Sequence, residues 1–100
     1  MRLYFYKLIL PRPTFNIDAS EEERAVMQEH VAFWVNQLKD GKVIAFGPVA
    51  DPDGPFGIAI LKLADEETPA ILCAQDPCVL ANMGFVTQLY PMPKFFAVGI

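Results

Sequence analysis

Residues 43–63, VIAFGPVADPDGPFGIAILKL, hold two apolar runs divided by Asp51-Pro52-Asp53-Gly54. Proline second and glycine fourth suit a type I turn. The stretch therefore predicts a strand over residues 43–50 and another over 56–63, joined as a hairpin. Upstream, Ser20-Glu21-Glu22-Glu23 has the pattern of a capping box, in which hydroxyl and carboxylate satisfy each other's backbone donors. The helix it opens runs to about Lys39-Asp40, where Gly41 supplies the C-terminal cap. Before it, residues 3–10 are almost all apolar or aromatic and stop at Pro11-Arg12-Pro13, which predicts a strand followed by a loop. Downstream, Asp65 is expected to cap a second helix through Gln75, with Pro69 in its first turn or bending it. Asp76-Pro77 restarts a short helical turn ending near Gly84. The last strand is expected over residues 85–98, where Pro91 and Pro93, two apart, suit a sheet edge.

The order β-α-β-β-α-β is the ferredoxin-like arrangement of the α+β class. Right-handed crossovers place both helices on one face of a four-stranded antiparallel sheet, and residues 1–100 read as a single domain. In the first strand Leu3, Phe5 and Ile9 share one face, and Tyr4, Tyr6, Leu8 and Leu10 the other. The third strand sets Phe56, Ile58 and Ile60 against Gly57, Ala59, Leu61 and Leu63. Strands apolar on both faces need cover on both, and the helices cover only one. The 53% of hydrophobic residues thus predicts that two copies pair sheet on sheet, because a monomer does not tolerate so large an apolar patch.

Charge and composition exclude several classes. Lys+Arg 8 against Asp+Glu 12 gives a net charge of −4, with basic residues scattered, so neither nucleic acid nor an anionic membrane is an expected partner. No apolar run approaches the ~18–20 residues of a membrane span. The first residues lack a long apolar signal region, so a cytoplasmic protein is expected. In that compartment Cys73 and Cys78 are expected as reduced, buried thiols, and no second Cys or His pair completes a zinc site.

His30, the single histidine, falls on the first helix. With Met27 as origin at 100° per residue, Val31, Trp34, Val35 and Leu38 centre the apolar face near 20°, with His30 near 300° and Val26 and Phe33 beyond. An imidazole between apolar rows needs partners for both nitrogens. It is either a structural core-edge group or a proton shuttle. Antiparallel helices bring the end of the second helical segment against the first half of the first helix, which selects Asp76 as the facing carboxylate. Asp76 before Pro77 also reads as a helix N-cap, and one oxygen can cap while the other orients the ring. Asp18, Asp40, Asp51, Asp53 and Asp65 fall in turns or at helix ends. Gly47-Pro48 either bends an edge strand or leaves room for a ligand, and Tyr4, Tyr6, Trp34 and Phe46 can line that space or fill the core. No phosphate-binding loop, dinucleotide fingerprint or metal-ligand set is present.

An amino-terminal Leu-Tyr-Phe-Tyr strand, one histidine in the first helix, Gly47-Pro48 in the second strand and Asp76-Pro77 after the second helix resemble the YCII-related family. The resemblance spans essentially the whole chain. It implies a dimeric α+β barrel, a small pocket in each subunit and a His–Asp active site mapped onto His30 and Asp76. Where activity is assigned in that family, it is acid–base chemistry such as dehydrochlorination of a hydroxylated aromatic ring. The chain departs from that pattern in its proline-rich loop over residues 11–19 and its short hairpin turn, which bear on substrate identity.

The leading expectation is a cofactor-free lyase or isomerase acting on a small aromatic or enol-like molecule, with His30 moving the proton and Asp76 fixing its tautomer. The pocket is assigned to Tyr4, Tyr6, Trp34, Phe46, Gly47 and Pro48. The alternatives are a non-catalytic ligand-binding or accessory homodimer, and a heme-free monooxygenase of related barrel form.

Overall fold

The structure, a computed structural model, describes residues 1–99. Its elements follow in the order β1 (Arg2–Ile9), α1 (Phe15–Asp18), α2 (Glu21–Lys39), β2 (Val43–Val49), β3 (Phe56–Leu63), α3 (Pro69–Cys73), α4 (Pro77–Leu80) and β4 (Val86–Met92). The four strands form one antiparallel sheet in the order β2-β3-β1-β4, the ferredoxin-like α+β arrangement. No helix among the described residues is long and apolar enough to cross a membrane.

Local signals account for the main elements. Ser20 Oγ accepts from the Glu23 amide at 3.1 Å and Glu23 Oε1 from the Ser20 amide at 2.8 Å, so the capping box forms. At the other end of α2, Gly41 takes φ +76°. The amides of Gly41 and Lys42 bond back to Leu38 and Gln37, a Schellman closure that favours glycine. The hairpin turn is closed by the Gly54 amide on the Asp51 carbonyl at 3.0 Å. Gly54 is required twice over: its φ is +137°, and a Cβ there would lie 3.1 Å from the Pro13 backbone.

Four expectations need correction. The second helix does not start at Asp65. Asp65 instead holds the Met1 amino group at 2.9 Å, residues 64–67 form a turn closed by Glu67, and α3 begins with Pro69 at its first position. Residues 15–18, read as loop, form the single turn α1. The last strand ends at Met92, and the edge placement of Pro91 holds. Finally, α2 is rotated from its predicted facing: Glu23, His30 and Trp34 are its buried residues, whereas Val31 and Leu38 are 47% and 43% exposed. The three buried residues carry polar atoms satisfied by distant partners, so counting hydrophobic side chains misplaces the face.

The core lies between α2 and one sheet face. Tyr6, Ala59, Leu61, Leu63 and Val43 pack with Trp34 and Cys73. Burying a side chain of this size contributes about 1.5–3 kcal/mol. On the opposite face the register aligns Phe5 with Ile60 and Tyr90, Lys7 with Ile58, and Ile9 with Phe56 and Val86. Those side chains are half-buried or exposed, and Lys7 folds its ammonium over the Phe56 ring at 4.3 Å.

Candidate functional site

Asp76 is the convergence point. Pro77 holds it outside the helical region as the N-cap of α4 (φ −58°, ψ 126°), and its side chain is fully buried. Oδ1 accepts the Cys78 amide at 2.9 Å and lies 2.8 Å from His30 Nδ1. Oδ2 accepts the Tyr6 hydroxyl and the Trp34 indole N–H, each at 2.9 Å, and lies 3.0 Å from the same His30 nitrogen. Capping and ring orientation are thus done by one carboxylate, with donors from β1, α2 and α4. His30 and Trp34, one turn apart on α2, reach it from one side of the helix.

Electrostatics follow from this geometry. Burial favours the neutral acid, but the hydrogen bond from His30, aided by the Trp34 and Cys78 donors, outweighs it and holds Asp76 below the usual carboxylate range. Burial, then the neighbouring Asp76 charge, pushes the Tyr6 phenol far above its ordinary value, so Tyr6 is a permanent donor. The same two causes raise the Cys73 and Cys78 thiols to about 12.

His30, Asp76 and Cys78 bring ligand-type atoms within 4.8 Å of one another. The donor set is a hydrogen-bond network in character: the carboxylate already accepts four donors, and the protonated Cys78 thiol turns to Met27 sulfur at 3.6 Å. A cation would have to displace most of these bonds.

Beside this network is a cavity of about 280 Å³ between α2 and the helix-covered sheet face. Tyr6, Trp34, Phe46, Gly47 and Pro48 line it, together with His30. Tyr4 does not; it packs against the core cluster. Among the described residues no buried side-chain nitrogen or oxygen lacks a partner. His30 lines the cavity, and its Nε2 makes no side-chain hydrogen bond among the described residues, so it is the free nitrogen of the ring.

Several lining residues were not anticipated from sequence, among them Met27 and Val31 of α2 and Phe15 and Asn16 of α1. The α1 turn is fixed by Arg12, which makes a two-pronged contact with Glu23 (2.9 and 2.8 Å) and bonds Asp18 at 2.8 Å. Phe15 is buried edge-on against Phe85, with centroids 5.5 Å apart. The roles of Tyr6 and Trp34 as donors to Asp76 were also missed. A signal existed, since a buried phenol or indole needs a polar partner and few acceptors fall in the apolar half of the chain.

A ferredoxin-like α+β chain with a histidine–aspartate pair beside an apolar cavity defines a class of small site-bearing folds. Within that class the sequence model of the YCII-related domain matches residues 5–93, and the chain belongs to that family. No curated protein matches it.

Proposed function

We propose that the protein is an acid–base enzyme of lyase or isomerase type, needing no cofactor, that acts on a small, largely apolar, aromatic-sized molecule. The observation that supports this reading is that His30 lines a cavity of about 280 Å³ while its Nδ1 is held by a buried carboxylate and its Nε2 is unbonded. Asp76 places the ring proton on Nδ1, which leaves the Nε2 lone pair free to take a proton from a carbon acid or hydroxyl. The imidazolium so formed lies against a carboxylate that Tyr6, Trp34 and the Cys78 amide already hold in place. Returning the proton at another atom completes an isomerisation; loss of a leaving group completes an elimination. A positioned base typically contributes ~10²–10⁴-fold.

The test is solvent deuterium uptake into a panel of enolisable and hydroxylated aromatic compounds, for the wild type and His30→Ala. Uptake by the wild type that falls by that factor in the variant supports the reading. Compounds that bind without exchanging in the wild type would assign the cavity to a non-catalytic ligand-binding protein instead.

The assembly belongs to the same proposal: two copies pair through the open sheet face. Phe5, Ile9 and Ile60 lie on the face opposite the core cluster, and Tyr90 and Val86 are about half exposed beside them. Sedimentation should give twice the 11.2 kDa chain mass, and Ile60→Glu should halve it. The two free, buried cysteines support a cytoplasmic location.

A further inference from the structure

We propose that Asn16 is the specificity residue of this cavity, reading a hydroxyl or carbonyl substituent of an otherwise apolar, uncharged ligand; the inference rests on the cavity being the ligand site. Among the described residues no Lys, Arg, Asp or Glu lines the cavity, so a charged ligand would lose its hydration without a counter-ion. The residues with polar side chains that contribute to its wall are Tyr6, His30, Trp34 and, from the exposed α1 turn at its edge, Asn16. The Tyr6 hydroxyl and the Trp34 N–H are committed to Asp76, and His30 keeps only Nε2 for the ligand. Asn16 is exposed, its carboxamide makes no side-chain hydrogen bond among the described residues, and at the mouth of the cavity it offers a ligand both a donor and an acceptor.

Its backbone is positioned independently of any ligand. Arg12 ties the segment to Glu23 and to both the carboxylate and the carbonyl of Asp18, the Thr14 hydroxyl bonds Asp18 at 2.7 Å, and Phe15 is packed under the turn. A carboxamide on so constrained a turn discriminates well, because little order has to be gained on binding.

The single tryptophan gives one indole N–H resonance, from Trp34 in the cavity wall, with which to follow binding. Titration of wild type and Asn16→Leu with phenol and with toluene separates recognition of the hydroxyl from filling of the space. The expected result is that Asn16→Leu weakens phenol relative to toluene by about tenfold, the loss of one neutral hydrogen bond. A phenol-to-toluene affinity ratio unchanged within about twofold overturns the assignment while leaving the cavity reading intact, and so does a loss shared equally by both probes, since Asn16 would then be wall alone. If neither probe shifts the Trp34 resonance in the wild type, the cavity reading falls and this inference falls with it.

Discussion

Trp34 donates its indole hydrogen to Asp76 Oδ2 at 2.9 Å, across 42 residues of chain. The largest side chain of the core is thereby tied to the same carboxylate that orients His30, so packing and site geometry are one structural unit.

The first consequence concerns stability. Asp76→Ala would strand the Tyr6 hydroxyl, the Trp34 N–H, the Cys78 amide and His30 Nδ1 in a buried space. Removing one partner of such a group costs about 3–5 kcal/mol, a large share of the ~5–15 kcal/mol available to a small domain. Urea unfolding should show this loss, and Asp76→Ala is accordingly a poor variant for testing catalysis. Trp34→Phe, which removes one donor and keeps most of the packing, should cost about 1–3 kcal/mol.

Asp76→Asn tests chemistry with less disturbance to the fold. The amide keeps one acceptor oxygen but presents hydrogens where the carboxylate accepted them, which removes the preference for a proton on Nδ1. The imidazole tautomer should shift toward Nε2–H. Nitrogen chemical shifts of the His30 ring would report it directly, and deuterium uptake should fall with it even where ligand binding persists.

Acid should destabilise the protein through the same residue. Asp76 is held below its usual value, so it contributes stability that is fully present above the unfolded carboxyl value near ~4 and is lost as pH falls through the folded value. Glu23, lowered to about 2 mainly by the hydrogen bonds it accepts from Arg12 and from the Ser20 amide, acts in the same direction. Urea midpoints from pH 7 down to pH 2.5 should fall for the wild type and fall less steeply for Asp76→Asn. Equal slopes for the two would mean that Asp76 is not the group responsible.

The fold was legible because its punctuation is local. The capping box at Ser20, Gly41 and the Asp51–Gly54 turn each act within a few residues, and the hairpin they frame sets the topology. The His30–Asp76 pairing was legible for a different reason: antiparallel helices leave one buried-side aspartate facing the histidine. What sequence did not disclose depended on contacts far along the chain. Asp65 is taken by the Met1 amino group 64 residues away, so it caps no helix. The α2 face turns toward Glu23, His30 and Trp34 because Arg12 and Asp76 satisfy their polar atoms, and no periodicity of apolar residues carries that information. The α1 turn that brings Asn16 to the cavity likewise depends on Arg12 reaching Glu23.

The Arg12 clamp makes its own prediction. Arg12→Met keeps much of the contact with the Phe15 ring, whose centroid lies 5.5 Å from the guanidinium carbon, but removes every bond to Asp18 and Glu23. The segment over residues 13–19 should then open locally while the sheet stays folded. Limited proteolysis should cut the variant within this segment faster than the wild type, and hydrogen exchange should quicken at the amides of Asp18 and Ala19, which bond back to Thr14 and Phe15. Unchanged cleavage and exchange would show that packing of Phe15 on Phe85 holds the turn alone.

The thiols provide the last test. Burial, reinforced by the Asp76 charge, lifts Cys73 and Cys78 to about 12, and the reactive form of a thiol is the thiolate. At pH 8 a group with that value is ionised only to ~10⁻⁴, and burial limits reagent access as well. Native protein should therefore consume a thiol-reactive disulfide reagent at the rate of local or global opening, not at the rate of a free cysteine, and both thiols should react at once in denaturant. Asp76→Ala, by loosening α4 and its Cys78 amide bond, should speed the native reaction at Cys78 more than at Cys73. Mass mapping of the modified cysteines after a short exposure measures that order, and preferential labelling of Cys73 would place the weak point in α3 instead.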